Sequence, residues 1–193
     1  MWVTSAQVPA LCPRIVTGPR FLAVGADCAP PRPGSRSNPM IPFVLEITST
    51  AFTPGAPIPA KYTCTAENLS PPLAWGPPPP GTASFVLIFD DPDAPGRVWN
   101  HWLVWNLPVS SRGLPEGTRP EAAGMVQGTN DFGDVGYGGP CPPPGHGTHR
   151  YFARLYAVDR NLPLSVGASR VELDAQLKGH VLASSELMGK FWR

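Results

Sequence analysis

The density of proline and glycine limits this chain more than any other sequence feature. Its 193 residues include 27 prolines and 20 glycines. Proline lacks a backbone N–H donor and interrupts helices and central strands alike. Ordered elements must therefore be short runs between proline-rich loops. Because 42% of the residues are hydrophobic, those runs can still bury a core, and the length suits a single domain.

The first 40 residues differ from the rest of the chain. They contain four arginines against a single acid, Asp27, together with several prolines. Such a segment cannot offset its ordering entropy by burying apolar surface. We predict that residues 1–40 are disordered, or are a mispredicted extension upstream of a true start at Met40, and that residues 41–193 form one domain. The prolines disfavour both a secretory signal and an amphipathic transit peptide.

From residue 41 onward the pattern is one of strands and turns. Apolar and polar residues alternate over 43–48, and short apolar or aromatic runs cover 84–89, 98–106 and 151–158. Both patterns are typical of β-strands. Several strands with one late helix predict a β-sandwich carrying a small helical appendage.

The single strong helix signal comes late in the chain. Ser169 and Glu172 have the spacing of a capping box. An apolar stripe at helical spacing follows, formed by Leu173, Leu177, Val181 and Leu182.

Three segments carry residues capable of chemistry. Asp90, Asp91 and Asp93 follow a buried strand, where turn geometry alone also favours Asp and Pro. His101 lies within an aromatic run, where a satisfied core histidine is the ordinary interpretation. The third segment, residues 136–151, is rich in Gly, Pro, His and Tyr, and long loops of this kind are functional or disordered.

Taken together, these motifs resemble the phosphatidylethanolamine-binding protein family, in particular its bacterial and archaeal Raf-kinase-inhibitor-like branch. The matching residues are Asp91-Pro92-Asp93-Ala94-Pro95, His101-Trp102, the Gly-Tyr-Gly-Gly-Pro-x-Pro-Pro loop from residue 136, and His149-Arg150-Tyr151. The likeness covers about residues 42–193. It implies a mainly β fold, a Greek-key antiparallel β-sandwich with a small C-terminal helix, and a pocket for phosphate-like anions or phospholipid headgroups. The wall implied by the family comprises Asp91, Trp99, His101, Gly139, Pro140, His149 and Tyr151, and no role is assigned to His146.

These residue types suit an anion site. Histidine rings and a tyrosine hydroxyl are donors, and successive backbone N–H groups of Gly138 and Gly139 could form a nest if these residues take positive φ. Asp91 is expected to accept from an imidazole N–H and so favour a charged ring. We expect no enzyme activity, no cofactor and no metal. The open alternative is a hydrolase that uses Asp91, the histidines and Cys141 as a nucleophile.

Partners and location follow from bulk properties and from the resemblance. The net charge of +1 gives no general attraction to nucleic acid, and no apolar run is long enough to cross a membrane. The cysteines match no zinc spacing, so free thiols and a cytoplasmic location are expected. The resemblance leaves a protein-binding or inhibitor module open. Met188, Phe191 and Trp192 suit either a homodimer interface or a closing strand.

Overall fold

A computed structural model of the chain describes residues 44–122 and 124–193. The predicted extension, residues 1–40, lies outside these residues. A single 3₁₀ turn, Ala60–Tyr62, and one α-helix accompany eight strands in the described part. The elements are β1 (Ile47–Thr48), β2 (Leu73–Trp75), β3 (Ser84–Asp91), β4 (Trp99–Pro108), β5 (Gly113–Leu114), β6 (Val126–Gln127), β7 (His149–Val158), α1 (Arg170–Leu177) and β8 (Val181–Phe191).

The strands form two antiparallel sheets. The smaller sheet has the order β1-β2-β5, and the larger has the order β6-β4-β3-β7-β8. The connection between β4 and β7 is long, yet β7 lies directly beside β3 in the larger sheet. The prediction of a mainly β, antiparallel sandwich with one short helix is therefore confirmed.

The central strand β3 is buried on both of its faces, which explains its uninterrupted apolar sequence. Phe85, Leu87 and Phe89 lie in the core that includes residues of the smaller sheet. Val86 and Ile88 belong to a second core, which is completed by α1 and the loop before it. Successive residues of β3 therefore serve two different cores, as the period of a strand requires.

Helix α1 begins with the predicted capping box. The Glu172 carboxylate accepts from the Ser169 backbone N–H at 2.8 Å, and the Ser169 hydroxyl accepts from the Glu172 backbone N–H at 3.4 Å. Leu173 and Leu177 are buried, as the apolar stripe predicted.

The predicted stripe is wrong beyond Leu177, where the helix ends. Gly179 takes a φ of +81°, the left-handed conformation that commonly terminates helices. Val181 and Leu182 then lie on β8 and are 43% and 44% exposed. Strand β8 is the last strand of the larger sheet, which corresponds to the closing-strand interpretation of the C-terminal segment.

A disulfide joins Cys64 to Cys141, so the prediction of free thiols is wrong for these two residues. Their Cα atoms are 5.4 Å apart although 77 positions separate them in sequence. The Gly- and Pro-rich loop folds back onto the turn after Ala60–Tyr62, and the Cys64 N–H donates to the Pro140 carbonyl at 3.2 Å. This approach depends on tertiary structure, which explains why spacing gave no indication of it.

We expect reduction of this disulfide to destabilise the domain, because it frees a long loop in the unfolded chain. The free energy of unfolding should fall by about 2–4 kcal/mol. Urea denaturation with and without a reductant measures the change. The double variant Cys64→Ser, Cys141→Ser should show the same loss and no further response to reductant; wild-type stability in both samples would contradict the prediction.

Candidate functional site

A cavity of about 270 Å³ lies where β3 ends and where β4 and β7 begin. Its polar lining comes from Asp91, His101 and His149. The rest of the wall is mainly apolar and is formed by Trp99, Phe132 and residues of the loops 94–95 and 141–143. Side chains from three strands and two proline-rich loops therefore meet at one end of the sheet.

Four of the seven residues predicted to line the pocket do so, namely Asp91, Trp99, His101 and His149. The other three, Gly139, Pro140 and Tyr151, are not in its lining. The Tyr151 ring is fully buried and lies 5.3 Å from the His101 ring and 6.4 Å from the His149 ring, measured between centroids.

Asp91 and His149 form a buried pair. His149 Nδ1 lies 2.7 Å from Asp91 Oδ2, and the two residues are 2% and 3% exposed, respectively. The other carboxylate oxygen, Oδ1, accepts from the Asp93 backbone N–H at 2.8 Å. The carboxylate is thus satisfied on both oxygens, and its expected role as acceptor for an imidazole N–H is seen in the geometry.

Asp93 anchors the same turn to the start of β7. The Arg150 guanidinium donates to both of its carboxylate oxygens, at 2.7 and 2.8 Å, and the Arg150 backbone N–H adds a third bond at 2.9 Å. These bonds from Arg150 lower the pKa of Asp93 to about 2. The turn that carries Asp91 is therefore fixed to the strand that carries His149.

A β-bulge aims His101 at the cavity. Phe89 pairs with Trp102 and Asp90 pairs with Asn100, so His101 is an extra residue on β4. The Asn100 side chain consequently reaches Arg170 of α1, at 2.8 Å, on the far face of the sheet. His101 instead packs on the same side as its neighbour Trp102, and bulges commonly redirect side chains next to functional sites in this way.

The hydrogen bond of His101 determines which of its two ring nitrogens carries the hydrogen. His101 Nδ1 lies 2.6 Å from the Gly138 carbonyl oxygen, which can only accept, so Nδ1 carries the hydrogen. Burial lowers the pKa of His101 below its ordinary value and outweighs the bond to Gly138. The expectation that the histidine rings donate to a ligand is therefore wrong for His101, which presents Nε2 to the cavity as an acceptor.

The glycine loop does not form the expected nest. Neither Gly138 nor Gly139 has a positive φ. The Gly138 N–H donates to the His101 carbonyl at 2.8 Å, and the Gly139 N–H donates to Asn68 Oδ1 at 2.8 Å. Gly139 is instead required by close packing, since a Cβ there would meet the Tyr62 carbonyl at 2.5 Å.

His146 is a member of the site that sequence reasoning left without a role. Its Nδ1 lies 2.9 Å from His149 Nε2, so Asp91, His149 and His146 form a hydrogen-bonded chain. The signal was present as the His-x-x-His spacing in the loop. In the described part of the fold, no three His, Cys, Asp or Glu side chains are grouped so that they could hold a metal ion.

Comparisons with known proteins agree with this architecture. The family model of the phosphatidylethanolamine-binding protein matches residues 48–192. The chain is 46% identical to a UPF0098 protein of Aquifex aeolicus, covering 78% of this chain and 90% of the relative. It is 47% identical to a UPF0098 protein of Methanothermobacter thermautotrophicus, covering 77% and 99%.

Two solved structures share the fold. The phosphatidylethanolamine-binding protein homologue CT736 of Chlamydia trachomatis is 38% identical with a TM-score of 0.72, covering 78% of this chain and 99% of that one. YbcL of E. coli, described as a member of the mammalian family, is 32% identical with a TM-score of 0.73, covering 77% and 98%.

We expect the folded protein to keep His101 neutral to a lower pH than the unfolded chain does. Because the pKa of His101 is lowered on folding, the unfolded chain takes up a proton, near pH 6.5, before the folded one does. This residue therefore reduces stability as pH falls below about 6.5, by at most about 1.4 kcal/mol per pH unit. Nitrogen chemical shifts of the ring measure the tautomer and its titration, and a folded-state pKa of His101 at or above the ordinary value of about 6.5 would contradict the prediction.

Replacing Asp93 by Asn should cost about 0.5–1 kcal/mol at pH 7, a small value because the pair with Arg150 is partly exposed. The pKa of Asp93 is lowered on folding, from 3.8 to about 2. Its contribution is therefore complete above about pH 4 and lost as pH falls through about 2. Urea denaturation of both proteins at pH 7 and pH 2.5 tests this. A difference that is undiminished at pH 2.5 would be inconsistent with the ion pair, and Arg150→Gln should not add to Asp93→Asn.

Proposed function

Because this chain belongs to the phosphatidylethanolamine-binding protein family, we propose that its cavity binds a small anionic group without converting it chemically. The group is a phosphate or a phospholipid headgroup. The observation that best supports this proposal is the buried Asp91–His149 pair in the wall of an otherwise mainly apolar cavity. The carboxylate holds the His149 ring in one orientation beside the cavity through the bond at Nδ1.

The walls support binding of a small group in a defined orientation. Trp99, Phe132 and the prolines of loop 141–143 form a stiff lining, which lowers the ordering cost of binding. The Trp99 ring packs edge-on against Phe132 at 5.5 Å between centroids. Such walls also exclude water, which strengthens each polar contact with a bound anion.

Two features favour binding over catalysis. Cys141 is held in a disulfide with Cys64, so it offers no thiolate nucleophile in this state. The second nitrogen of His149 faces the His146 ring rather than a hydroxyl or thiol, whereas an acid–base pair serving a nucleophile would face one.

A second candidate is the docking of a phosphorylated or acidic segment of a partner protein. Arg97 favours it, because its guanidinium lies 5.1 Å from the centre of the Trp99 ring and its side chain is 61% exposed, although Nη2 already lies 3.3 Å from Asp131 Oδ1. Trp99 lines the cavity, so a partner whose anionic side chain enters it could place a second acidic group beside Arg97. A homodimer remains a prediction from the C-terminal segment.

The compartment also remains a prediction. No helix among the described residues is long and apolar enough to cross a membrane. A cytoplasmic location was expected from free thiols, whereas the Cys64–Cys141 disulfide favours an oxidising compartment in most organisms. Alkylation of thiols in freshly lysed cells, followed by mass spectrometry, distinguishes the two.

Phosphate should bind to the full chain, and His149→Ala and His101→Ala should each weaken binding at least about tenfold. Isothermal titration calorimetry at about pH 6 measures the dissociation constants. His180→Ala is the matched control, because His180 pairs with Asp159 at 2.9 Å but lies on the surface away from the cavity. Absence of phosphate binding, or equal binding by all four proteins, would refute the proposal.

A further inference from the structure

The polar atoms that face the cavity are mostly acceptors, which is unusual for an anion site. His101 Nδ1 donates to the Gly138 carbonyl at 2.6 Å, so the neutral ring carries its lone pair on Nε2. Within residues 44–122 and 124–193, no hydrogen bond to His101 Nε2 is formed, and His101 lines the cavity. A ligand that approaches this nitrogen meets a lone pair and must supply a hydrogen.

Asp91 imposes the same requirement. It is a carboxylate in the cavity wall, and its two bonded neighbours, His149 Nδ1 and the Asp93 N–H, lie 2.7 and 2.8 Å away. A carboxylate repels an anion that has no hydrogen to place between them. Two acceptors in one small, mainly apolar cavity therefore favour ligands that donate.

His149 does not relieve this shortage of donors without a rearrangement. Its Nδ1 is engaged by Asp91, and its Nε2 is engaged by His146 Nδ1 at 2.9 Å. A ligand can bond to His149 only by displacing or sharing the contact with His146.

One donor in the cavity wall is nevertheless free for a ligand oxygen. The indole N–H of Trp99, which lines the cavity, is buried and has no hydrogen-bond partner among the described residues. A buried donor without a partner is costly, and a ligand oxygen is a suitable acceptor for it.

We infer that the cavity selects an anion that bears an acidic hydroxyl, namely a phosphate or phosphate monoester in its singly charged form, with the P–OH group donating to His101 Nε2. This inference rests on the proposed anion-binding function and narrows it. A phosphate diester carries the same charge but has no hydrogen to donate, so it leaves the lone pair of His101 facing an oxygen lone pair. Sites built around such a bond discriminate strongly against analogues that lack it.

Methyl phosphate and dimethyl phosphate test this directly, because at about pH 5.5, below the second pKa of a phosphate monoester, about 6, both are mainly monoanions. Calorimetry on the full chain should show methyl phosphate binding at least about tenfold more tightly, a factor equivalent to about 1.4 kcal/mol. Ethyl phosphate controls for size and should bind like methyl phosphate. Inorganic phosphate and a short-chain phosphatidic acid distinguish a free anion from a lipid monoester as the source of the group.

The outcomes separate the two claims. If neither ester nor inorganic phosphate binds, the anion-binding function is refuted, and the inference with it. If the diester binds as tightly as the monoester, anion binding stands and the selectivity is refuted. In His101→Ala the preference for methyl over dimethyl phosphate should fall toward one. The His101 Nε2 chemical shift should move toward that of a hydrogen-bond acceptor, and a shift to that of a protonated nitrogen would overturn the assignment.

Discussion

The buried bond between Asp91 and His149 is the interaction on which the site depends. It joins the last residue of β3 to the first residue of β7, at the end of two adjacent strands. A carboxylate that is 3% exposed is tolerated only where its oxygens are hydrogen-bonded, and here His149 and the Asp93 N–H satisfy one oxygen each. Removing either partner would leave a buried acceptor unpaired, so the turn, the strand ends and the cavity wall are coupled through this carboxylate.

Neighbouring carboxylates are kept apart by the strand period. Asp90 precedes Asp91 directly, yet its side chain lies on the far face of the sheet, where Arg154 and Arg170 pair with it. Burial nevertheless raises the pKa of Asp90, because desolvation outweighs the two guanidinium groups. Asp90 therefore adds no negative charge to the cavity. Its ion pairs with Arg154 and Arg170 instead fix the start of α1 to the end of β3.

The sequence supported the prediction of the strands, the helix start and four residues of the cavity wall, because each depends on local pattern or on a family motif. The bulge was not predictable, since the apolar run around His101 reads as a regular strand and only the pairing with β3 reveals the extra residue. The disulfide and the contact of His146 with His149 depend on how the loop 136–148 folds back. The tautomer of His101 likewise depends on a carbonyl 37 positions away in sequence.

The bulge and the tautomer act together on ligand choice. A regular β4 would send His101 to the face occupied by α1 and would bring Asn100 to the cavity. The bulge reverses this, and the Gly138 carbonyl then accepts from His101 Nδ1 while the Gly138 N–H donates to the His101 carbonyl at 2.8 Å. This pair of bonds prevents the ring from turning its N–H toward the cavity. Because the backbone itself holds the donor side of the ring, the face offered to a ligand is an acceptor, and the hydrogen in that contact must come from the ligand.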